Sequence, residues 1–518
     1  MSEPAAIPEH VEVLIIGGGP AGSYAASCLA RENIQTCVIE AEKFPRYHVG
    51  ESMMAALRHF LRFIDLEQGF ETHGFNRKNG AAFKLNRENR EGYTDFVSHD
   101  KGNYSWNLLR EESDHLMLRH AATSGALVFE ETRVTEVHFD GTEPDSRPIS
   151  ANWRNKQGKI GKISFNWLID ASGRAGIVSS KNLHNRKFNQ SLKNIATWGY
   201  WRGTGIYSPT TPRAGSPWFE ALTDESGWAW FIPLHNGTTS VGVVMNQEVS
   251  NQKKLRMPKE NNSLTTFYHE QLQLAPDVIT LIGEGTLVKD ADGPPVRSAS
   301  DYSYSATSYG GSHFRLAGDA AAFIDPFFSS GVHLAITSGL SAAATICASI
   351  RGDCTEAEAH RWHTTKVAAS YTRFLVVVLA AYRQMHAQEH PVLSDVDEKN
   401  FDRAFEHFRP IIQGHSDVAT SKHAEELRQT IDFCAHAFEP SEPEPSPTAN
   451  GATFKKVGPI EDKELSGLDA DSKRVFNELT VRGSMNNSDF EHIDNLLSDR
   501  FDGIRLRLSH GSLGLEKV

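Results

Sequence analysis

The first forty residues contain two apolar runs with a glycine-rich turn between them. Val11–Ile16 is short, apolar and followed by glycines, which predicts a buried strand. Ala21–Arg31 predicts the helix that follows, and Thr36–Glu40 predicts a second buried strand. Residues 11–40 therefore predict one βαβ unit with a short crossover.

A long stretch of strands and two helical regions come next. From about residue 80 to 310, short segments separated by Asn, Asp and Gly predict strands and turns. Ser329–Ile350 and Thr355–Gln388 are rich in alanine and aliphatic residues and predict helices. Gly352 lies between them and is expected to end the first helix.

The last eighty residues begin with a segment that is unsuited to folding. Residues 439–451 are dominated by Pro, Glu and Ser and cannot bury enough apolar surface to form a core, so we predict a linker. Beyond it, Asp462–Arg482 and Ser488–Arg500 have modest amphipathic patterns and predict two helices.

Charge and cysteine usage exclude several classes of protein. The formal net charge of -12 and the absence of a long basic run argue against a nucleic-acid binder. The five cysteines form no CxxC pair, so we expect neither a disulfide framework nor a metal site. The N-terminus lacks a basic region and a cleavage signal, and no apolar stretch is long enough to span a membrane. We therefore expect a cytoplasmic protein.

A glycine fingerprint joins the first predicted strand to the first predicted helix. Gly17 permits a tight turn, Gly19 lets the backbone approach a pyrophosphate, and Gly22 lets the helix pack on the strand. Ala21 lies at the start of the helix, where free N–H groups and the helix dipole attract phosphate. Glu40 closes the second strand, where a carboxylate hydrogen-bonds a ribose hydroxyl. These residues predict a dinucleotide site, and both NAD and FAD fit it.

A second motif favours FAD. Residues 314–331 read FRLAGDAAAFIDPFFSSG, in which Phe314–Ala317 predicts a strand and residues 318–320 a turn. The pattern resembles FAD proteins of the hydroxylase type, in which a GD pair here contacts the ribityl and pyrophosphate groups. Asp170, within LIDASGR, resembles another turn of that fold. Asp319 is therefore expected to bind FAD, although a simple capping aspartate fits the local sequence as well.

Four further motifs resemble those of the flavin-dependent halogenases. They are WAWFIP at 228–233, VGES at 49–52, GFNRKNGAAFK at 74–84 and DPFFSSGVHLA at 325–335. The similarity extends over about residues 10–435. It is most evident with the fungal halogenases that act on free phenolic polyketides.

The resemblance implies an α/β fold with a Rossmann-type FAD-binding domain of the aromatic hydroxylase type. A mainly antiparallel substrate sheet belongs to the same module, and a helical C-terminal region follows. We expect an FAD-binding and substrate-sheet module at 1–350, a helical domain at 351–438, the linker at 439–451 and a helical segment at 452–518. Arg110 is a further FAD-binding residue that the resemblance implies.

The tryptophan motif is expected to form a wall between the flavin and the organic substrate. Trp228, Trp230 and Ile232 alternate along a strand that Pro233 ends, so the three side chains face one side. In the family, such a wall is thought to keep substrate away from the flavin, so that halide meets the peroxide. An ordinary hydrophobic sheet face would show the same alternation, but the Ile-Pro ending and the flavin context favour the wall.

Lys78 matches the essential lysine of the halogenase motif GFxxKxGA. An amine in a dry channel can hydrogen-bond hypohalous acid or form a chloramine, which holds the electrophile beside the ring. Burial also favours the neutral, nucleophilic form of an amine. A solvated surface lysine is the alternative, because Arg77 and Lys84 lie nearby, and Lys84 is the second candidate for the same role.

The halide is expected at the start of the helix that follows the GD motif. Ser330 and Gly331 precede an apolar helix, and backbone N–H groups at a helix start form an anion site. In the family the halide binds at the matching residues. Helix capping by serine is the alternative, and both can hold together.

One departure from the tryptophan halogenases bears on the substrate. Those enzymes carry a glutamate two residues before the position of Ser330, where this chain has Phe328. A phenol activates its own ring and needs less help from a carboxylate. Phe327 and Phe328 therefore suggest that an electron-rich phenolic ring packs in an apolar pocket.

The resemblance implies a complete reaction and its partners. A separate NAD(P)H flavin reductase supplies FADH2, and O2 forms the flavin C4a-hydroperoxide. Chloride or bromide attacks the distal oxygen, and Lys78 guides the hypohalous acid to the phenol. An FAD-dependent aromatic hydroxylase (a monooxygenase) on the same fold is one alternative, against which WAWFIP counts. A flavin-binding protein without turnover is another.

Overall fold

The computed structural model describes residues 6–87, 90–98, 100–141, 146–258, 260, 263–289, 293–386, 388 and 499–518. The helices within these residues are α1 (Pro20–Arg31), α2 (Leu57–Phe63), α3 (Glu67–His73), α4 (Arg110–Thr123), α5 (Gln247–Arg256), α6 (Leu264–Leu272), α7 (Pro276–Ile282), α8 (Gly331–Arg351) and α9 (Glu356–Met385).

The strands fall into two large sheets and two small ones. They are β1 (His10–Ile16), β2 (Thr36–Ile39), β3 (Asn76–Lys78), β4 (Gly80–Lys84), β5 (Gly92–Asp95), β6 (Ser105–Asn107), β7 (Leu127–Phe129), β8 (Thr132–Phe139), β9 (Pro148–Asn155), β10 (Ile160–Asp170), β11 (Arg186–Arg202), β12 (Trp218–Ala221), β13 (Gly227–Pro233), β14 (Thr238–Asn246), β15 (Thr286–Leu287), β16 (Val296–Ala306), β17 (Gly310–Gly311), β18 (Phe314–Leu316), β19 (Ala322–Phe323), β20 (Arg500–Phe501), β21 (Ile504–Arg507) and β22 (Gly514–Lys517).

The first large sheet is the predicted nucleotide-binding sheet. Its central order is β17-β18-β10-β1-β2-β7, and β8 and β9 extend it from β10. Strand β1 pairs in parallel with β2, with Val13 opposite Thr36, and in parallel with β10 on its other side. Helix α1 is the crossover between β1 and β2, so the predicted βαβ unit is confirmed. Both faces of β1 and β2 are buried, which explains their nearly continuous apolar sequences.

The second large sheet is the mainly antiparallel substrate sheet. Its order is β19-β16-β11-β14-β13-β12-β4-β5, with β15 on β11. The pair β12–β4 is parallel, and the other pairs along this order are antiparallel. Strand β13 divides its side chains between two cores, because Trp228 and Trp230 lie in one cluster and Phe231 in another. The α/β fold class expected from the sequence is confirmed.

The region from 80 to 310 contains helices that the sequence reading missed. Helices α4 to α7 lie between residues 110 and 282. Helix α4 is rich in charged residues and lacks the strong apolar stripe that would have revealed it. Helix α5 begins at Asn246, whose side chain accepts backbone hydrogen bonds from Glu248 and Val249. Such caps start short helices that periodicity alone does not predict.

Helices α8 and α9 were predicted and are present. Gly352 ends α8 with a φ of 73°, and Thr355 starts α9 in a reciprocal capping box with Glu358. Both helices are long and apolar enough to cross a membrane by length and composition. However, 83% of the most apolar window of α8 and 69% of that of α9 are buried inside the protein. Core helices of this kind pass the same test.

The end of the chain corrects one prediction. Residues 500–517 form the three-stranded antiparallel sheet β20-β21-β22, whereas a helical segment was expected over 452–518. Alternating side chains of β21 are buried, and Asp499 pairs with Lys366 and Arg373 of α9. The remainder of that segment, the linker 439–451 and most of the domain 351–438 lie outside the described residues. The predicted domain boundaries stay predictions.

Candidate flavin and halide site

A cavity of about 760 Å³ lies where the two large sheets meet. Its wall combines the start of α1, the ends of β2 and β10, the start of α8 and the face of β13 that carries the tryptophans. A volume of this size is typical of a cofactor pocket. The predicted flavin and halide residues that line it are Gly17, Gly19, Ala21, Glu40, Arg110, Asp319 and Gly331.

The glycine fingerprint fits a dinucleotide cradle. Gly17 has a φ of 103°, and a Cβ there would overlap the carbonyl oxygen of Ala171. A Cβ on Gly22 would overlap the carbonyl oxygen of Gly17, so this glycine lets α1 pack against β1. Gly19 differs, because a Cβ there would meet only Arg46, at 3.5 Å, and would project beside the cavity. The protein therefore has room for a side chain at position 19, but that side chain would collide with a bound pyrophosphate.

Glu40 is held in place by backbone amides. Its Oε2 accepts a hydrogen bond from the N–H of Gly18 at 2.6 Å, and its Oε1 accepts one from Glu42 at 2.7 Å. The side chain lines the cavity at the end of β2. This is the position from which an acid reaches a ribose hydroxyl in nucleotide-binding βαβ units.

Two charged residues contribute to the same wall from other elements. Arg110 is buried and forms two hydrogen bonds to Asp114, through Nε at 2.8 Å and NH2 at 3.0 Å. A third, at 3.0 Å, goes from NH1 to the carbonyl of Val49. Asp319 lies across the cavity, where burial raises the pKa of its carboxyl and Arg174 and Arg110 partly offset that rise. The glycine cradle, the acid after β2 and this charge arrangement fit FAD.

The predicted tryptophan wall is present in the cavity. Trp228, Trp230 and Ile232 all line it, from one face of β13. The two indole rings are tilted by 49° with centroids 5.8 Å apart, so they are adjacent and not stacked flat. Pro233 ends the strand and stands outside the lining.

Lys78 is a buried amine and not a surface lysine. It is 2% exposed, and its Nζ donates hydrogen bonds to the Oγ of Ser52 and the carbonyl of Met53, both at 2.8 Å. The Nζ also lies 5.1 Å from the centroid of the Phe96 ring. Burial lowers the pKa of the Lys78 amine to about 7. An appreciable fraction of this amine is therefore neutral near pH 7.

Lys84 lacks these properties. Its Nζ forms an ion pair with Asp277 at 2.5 Å, and both side chains are partly exposed. The structure therefore favours Lys78 over the second candidate.

The expected halide residues mark the start of α8. Ser330 is the N-cap residue, yet its side chain makes no capping hydrogen bond, so the simple capping alternative is wrong. Among the described residues, its buried Oγ has no hydrogen-bond partner. Gly331 lines the cavity, and a Cβ there would meet no atom within 4 Å. The turn before the helix is formed by Ser329, which has a φ of 59°.

Phe327 and Phe328 lie behind the cavity wall. Both are buried, and their ring centroids are 4.8 Å apart. Phe327 packs against Trp228 at 5.1 Å, and both phenylalanines pack against Phe83 at 5.3 Å. They form one aromatic cluster with Phe219, which does line the cavity.

The sequence reading missed a buried polar network that holds this cluster. The Oδ2 of Asp325 accepts hydrogen bonds from Tyr382 at 2.7 Å and from Asn194 at 3.0 Å. The indole N–H of Trp228 donates to the hydroxyl of Tyr382 at 2.9 Å. Helix α9 is thereby tied to the wall. Burial raises the pKa of the Asp325 carboxyl to about 6. Asp325 begins the DPFFSSG motif, but nothing in the sequence identified its partners.

One further cluster brings together residues that bind metals in other proteins. The Oε2 of Glu112 lies 2.6 Å from the Nε2 of His73 and 3.1 Å from the Nε2 of His235. The three ligand atoms lie within 4.8 Å of one another. The hydrogen bond between His73 and Glu112, with His235 in ion-pair contact with the same carboxylate oxygen, accounts for this arrangement.

Comparison with known proteins gives the family. A model described as "FAD binding domain" matches residues 10–370. The flavin-dependent halogenase ascD of Acremonium egyptiacum is 51% identical over 99% of this chain and 94% of its own length. The sulochrin halogenase gedL of Aspergillus terreus is 46% identical over the same shares of the two chains.

A solved structure agrees with the sequence comparison. The myxobacterial chondrochloren halogenase CndH superimposes with a TM-score of 0.66 and 26% identity. The match covers 84% of this chain and 98% of that one. With an FAD cavity, a tryptophan wall and near 50% identity over its length, this chain belongs to the flavin-dependent halogenase family.

Proposed function

We propose that this enzyme chlorinates, and also brominates, an electron-rich phenolic, polyketide-like aromatic compound, and that Lys78 guides hypohalous acid to the ring. FADH2 and O2 are the other reactants. The observation that carries the proposal is the position of Lys78, a buried amine hydrogen-bonded to Ser52, which lines the cavity. When bound, reduced FAD supplies the electrons with which O2 is activated to oxidise the halide.

Lys78 can transfer halogen in a balanced way. A neutral amine takes chlorine from hypochlorous acid, forming an N–Cl bond and releasing water. The phenol ring then takes chlorine from nitrogen, loses a proton and leaves the amine as before. The lowered pKa of Lys78 supports this role, because only the neutral amine is nucleophilic. Nearby, Asn107 pairs with Ser52 across a bridge, and among the described residues its buried amide has no partner. This amide offers a small polar molecule a hydrogen-bond partner in addition to the lysine.

The start of α8 supports halide binding. The unpartnered hydroxyl of Ser330 and the N–H groups at Gly331 combine a donor with the positive end of a helix of 21 residues. Such a site selects charge more than radius, so bromide is expected to replace chloride. The phenolic substrate is supported by Phe328, which stands where the tryptophan halogenases carry a glutamate and packs with Phe327 behind the cavity wall. The site thus lacks, at this position, the carboxylate that a less activated ring needs.

The electrons are expected to come from a separate NAD(P)H flavin reductase, because the sequence has one nucleotide fingerprint, which the flavin occupies. The overall reaction balances when the ring, FADH2, O2, chloride and a proton give the chlorinated ring, FAD and two water molecules. We place the reaction in secondary-metabolite biosynthesis in the cytoplasm.

The decisive experiment supplies the purified enzyme with a flavin reductase, NADH, chloride and a panel of phenols. The expected result is a product in which one hydrogen is replaced by chlorine, and by bromine when bromide is the halide. Mass spectrometry detects both. A product that gains only oxygen would instead indicate a hydroxylase.

A further inference from the structure

Glu51 is a buried carboxyl group to which the proposed reaction gives no role. It lies in the VGES motif, lines the cavity and is 1% exposed. Burial raises the pKa of this carboxyl, while hydrogen bonds from Tyr200 and Ser240 and the charge of Arg110 oppose the rise. An ionisable group in this position can hold a proton at the cavity wall.

A chain of hydroxyl groups joins Glu51 to the surface. The hydroxyl of Tyr200 donates to the Oε1 of Glu51 at 2.5 Å, and the hydroxyl of Tyr47 lies 3.0 Å from that of Tyr200. Tyr47 is 43% exposed. Each oxygen atom from the carboxylate outward is therefore within hydrogen-bonding distance of the next, and the last belongs to an exposed residue.

The hydrogen bond from Tyr200 to Glu51 sets the direction of this chain, and Trp198 adds a donor at its outer end. An indole N–H can only donate, and that of Trp198 donates to the hydroxyl oxygen of Tyr47 at 2.7 Å. Because Tyr200 gives its proton to Glu51, the bond between the two tyrosines is donated by Tyr47. Every O–H in the chain thus donates inward, which is the order that proton transfer from solvent to Glu51 requires.

A second arm orients the other carboxylate oxygen. Trp230 donates to the Oγ of Ser240 at 3.1 Å, and Ser240 donates to the Oε2 of Glu51 at 3.3 Å. This arm begins at a tryptophan of the cavity wall and has no link to solvent among the described residues. The serine arm therefore orients the carboxylate of Glu51, whereas the tyrosine arm can return a proton to that carboxylate after it has given one up.

We propose that Glu51 carries protons from solvent into the flavin cavity through Tyr47 and Tyr200. A hydronium ion of the solvent protonates the Tyr47 oxygen and becomes water, Tyr47 passes its proton to Tyr200, and Tyr200 passes its own to the Oε1 of Glu51. Three O–H bonds form, three break, and no electrons are transferred. The inference rests on the proposed function, in which chloride enters as an anion, so each turnover consumes a proton inside the cavity.

Arg297 favours this direction of transfer. Its guanidinium carbon lies 4.4 Å from the centroid of the Tyr47 ring and 5.9 Å from that of Tyr200. Burial and the charge of Glu51 raise the pKa of the Tyr47 hydroxyl, and its hydrogen bonds with Tyr200 and Trp198 and the charge of Arg297 oppose that rise. Arg110 and Arg297 are the charged groups near this chain, so the variants used to measure pH dependence should leave both arginines unchanged.

The test compares Tyr47→Phe, Tyr200→Phe and Glu51→Gln with wild type. Each of the three should lower the chlorination rate by about a hundredfold or more at pH 8, which is the range for a lost proton-transfer group. The solvent deuterium isotope effect should change, and the loss should shrink toward acid pH. Tyr93→Phe is the matched control, because its hydroxyl bonds Ser216 at 2.9 Å outside this chain and its rate should equal that of wild type.

An independent readout uses the flavin-free protein. The infrared C=O band of the protonated Glu51 carboxyl, identified by its loss in Glu51→Gln, reports the titration of this group. Tyr200→Phe removes a donor to the carboxylate, so the titration should move to higher pH. Unchanged titration, rate and isotope effect in Tyr47→Phe and Tyr200→Phe would overturn the proton path. If no phenol is halogenated even by wild type, the proposed function fails, and the infrared titration still decides the path.

Discussion

The Nζ of Lys78 donates a hydrogen bond to the Oγ of Ser52 at 2.8 Å, and Ser52 lines the flavin cavity while Lys78 does not. A single polar contact therefore joins the cavity to a buried amine behind its wall. In the proposed function, this arrangement would separate the oxidation of halide from its transfer to the substrate. Hypohalous acid could hydrogen-bond to Ser52 on the cavity side of this contact and to the Lys78 amine behind it.

Lys78→Ala is expected to abolish halogenation while FAD binding and peroxide release persist. In the proposed function the amine handles the halogenating agent, and its hydrogen bonds go to Ser52 and Met53 and not to the glycine fingerprint. Product yield, FAD absorbance and peroxide release are the measurements. Lys84→Ala is the control, because its ion pair with Asp277 can be lost without effect on the buried amine. Near-normal chlorination by Lys78→Ala would move the assignment away from this residue.

The chlorination rate is also expected to rise with pH through about 7. Burial lowers the pKa of Lys78 to about 7, so the ammonium form dominates below that value and the neutral amine above it. If the neutral amine carries halogen, the reactive fraction increases as pH rises. The measurement is the yield of chlorinated product from hypochlorous acid supplied directly, taken at each pH as a ratio to the yield with Lys78→Ala. The ratio removes the pH dependence of the flavin steps and that of hypochlorous acid itself, which loses its proton in the same pH range. A rate that falls as pH rises through this range would argue for the ammonium as the active form.

Gly19→Val should lose FAD and keep its fold. The new side chain would meet only Arg46 in the protein but would enter the pyrophosphate site. Asp319→Ala should lose FAD as well, because a carboxylate of the cradle is removed. Flavin absorbance and a thermal melt of the flavin-free protein separate binding from folding. Gly22→Val is the contrasting variant, since its Cβ would overlap the Gly17 carbonyl and should destabilise the fold itself. Stoichiometric FAD on Gly19→Val would refute the placement of the fingerprint.

The sequence predicted those parts of the site that a local pattern encodes. The βαβ unit, the alternation on β13 and the helix after Ser330 each depend on short-range periodicity or turn chemistry. The strands at residues 500–517 were missed because their alternating burial depends on packing against α9, which no local pattern reveals. The partners of Asp325 lie 57 and 131 residues away in sequence, and such contacts exist only once the chain has folded.

Asp325→Asn tests whether that network costs stability at neutral pH. Burial raises the carboxyl pKa from 3.8 to about 6, so the folded state binds the proton more tightly than the unfolded state does. The stability this group contributes is therefore present below about pH 4 and is lost as pH rises to about 6, by at most about 3 kcal/mol.

Urea unfolding of both proteins at several pH values gives the comparison. The free energy of unfolding of wild type relative to Asp325→Asn should fall over this interval and stay level above it. A constant difference from acid to neutral pH would show that Asp325 is ionised in the folded protein throughout.

Gly331→Pro tests the anion site at the start of α8. Gly331 is the first residue of the helix, so proline there removes one N–H without breaking a bond inside the helix. It also disturbs the turn, because Ser330 has αR backbone angles, which a following proline disfavours. We expect Gly331→Pro to lose chlorination at low chloride and to release hydrogen peroxide instead.

Gly331→Ala keeps the N–H, and its Cβ would meet no protein atom within 4 Å, so it is the matched control. Product yield and peroxide release are measured while chloride is titrated. With bromide in place of chloride, halogenation by Gly331→Pro should again be weaker than by Gly331→Ala and wild type. Fluoride should fail with all three proteins, because it is too strongly hydrated to be oxidised here. If Gly331→Pro chlorinates as well as Gly331→Ala at low chloride, the halide does not bind at Ser330 and Gly331.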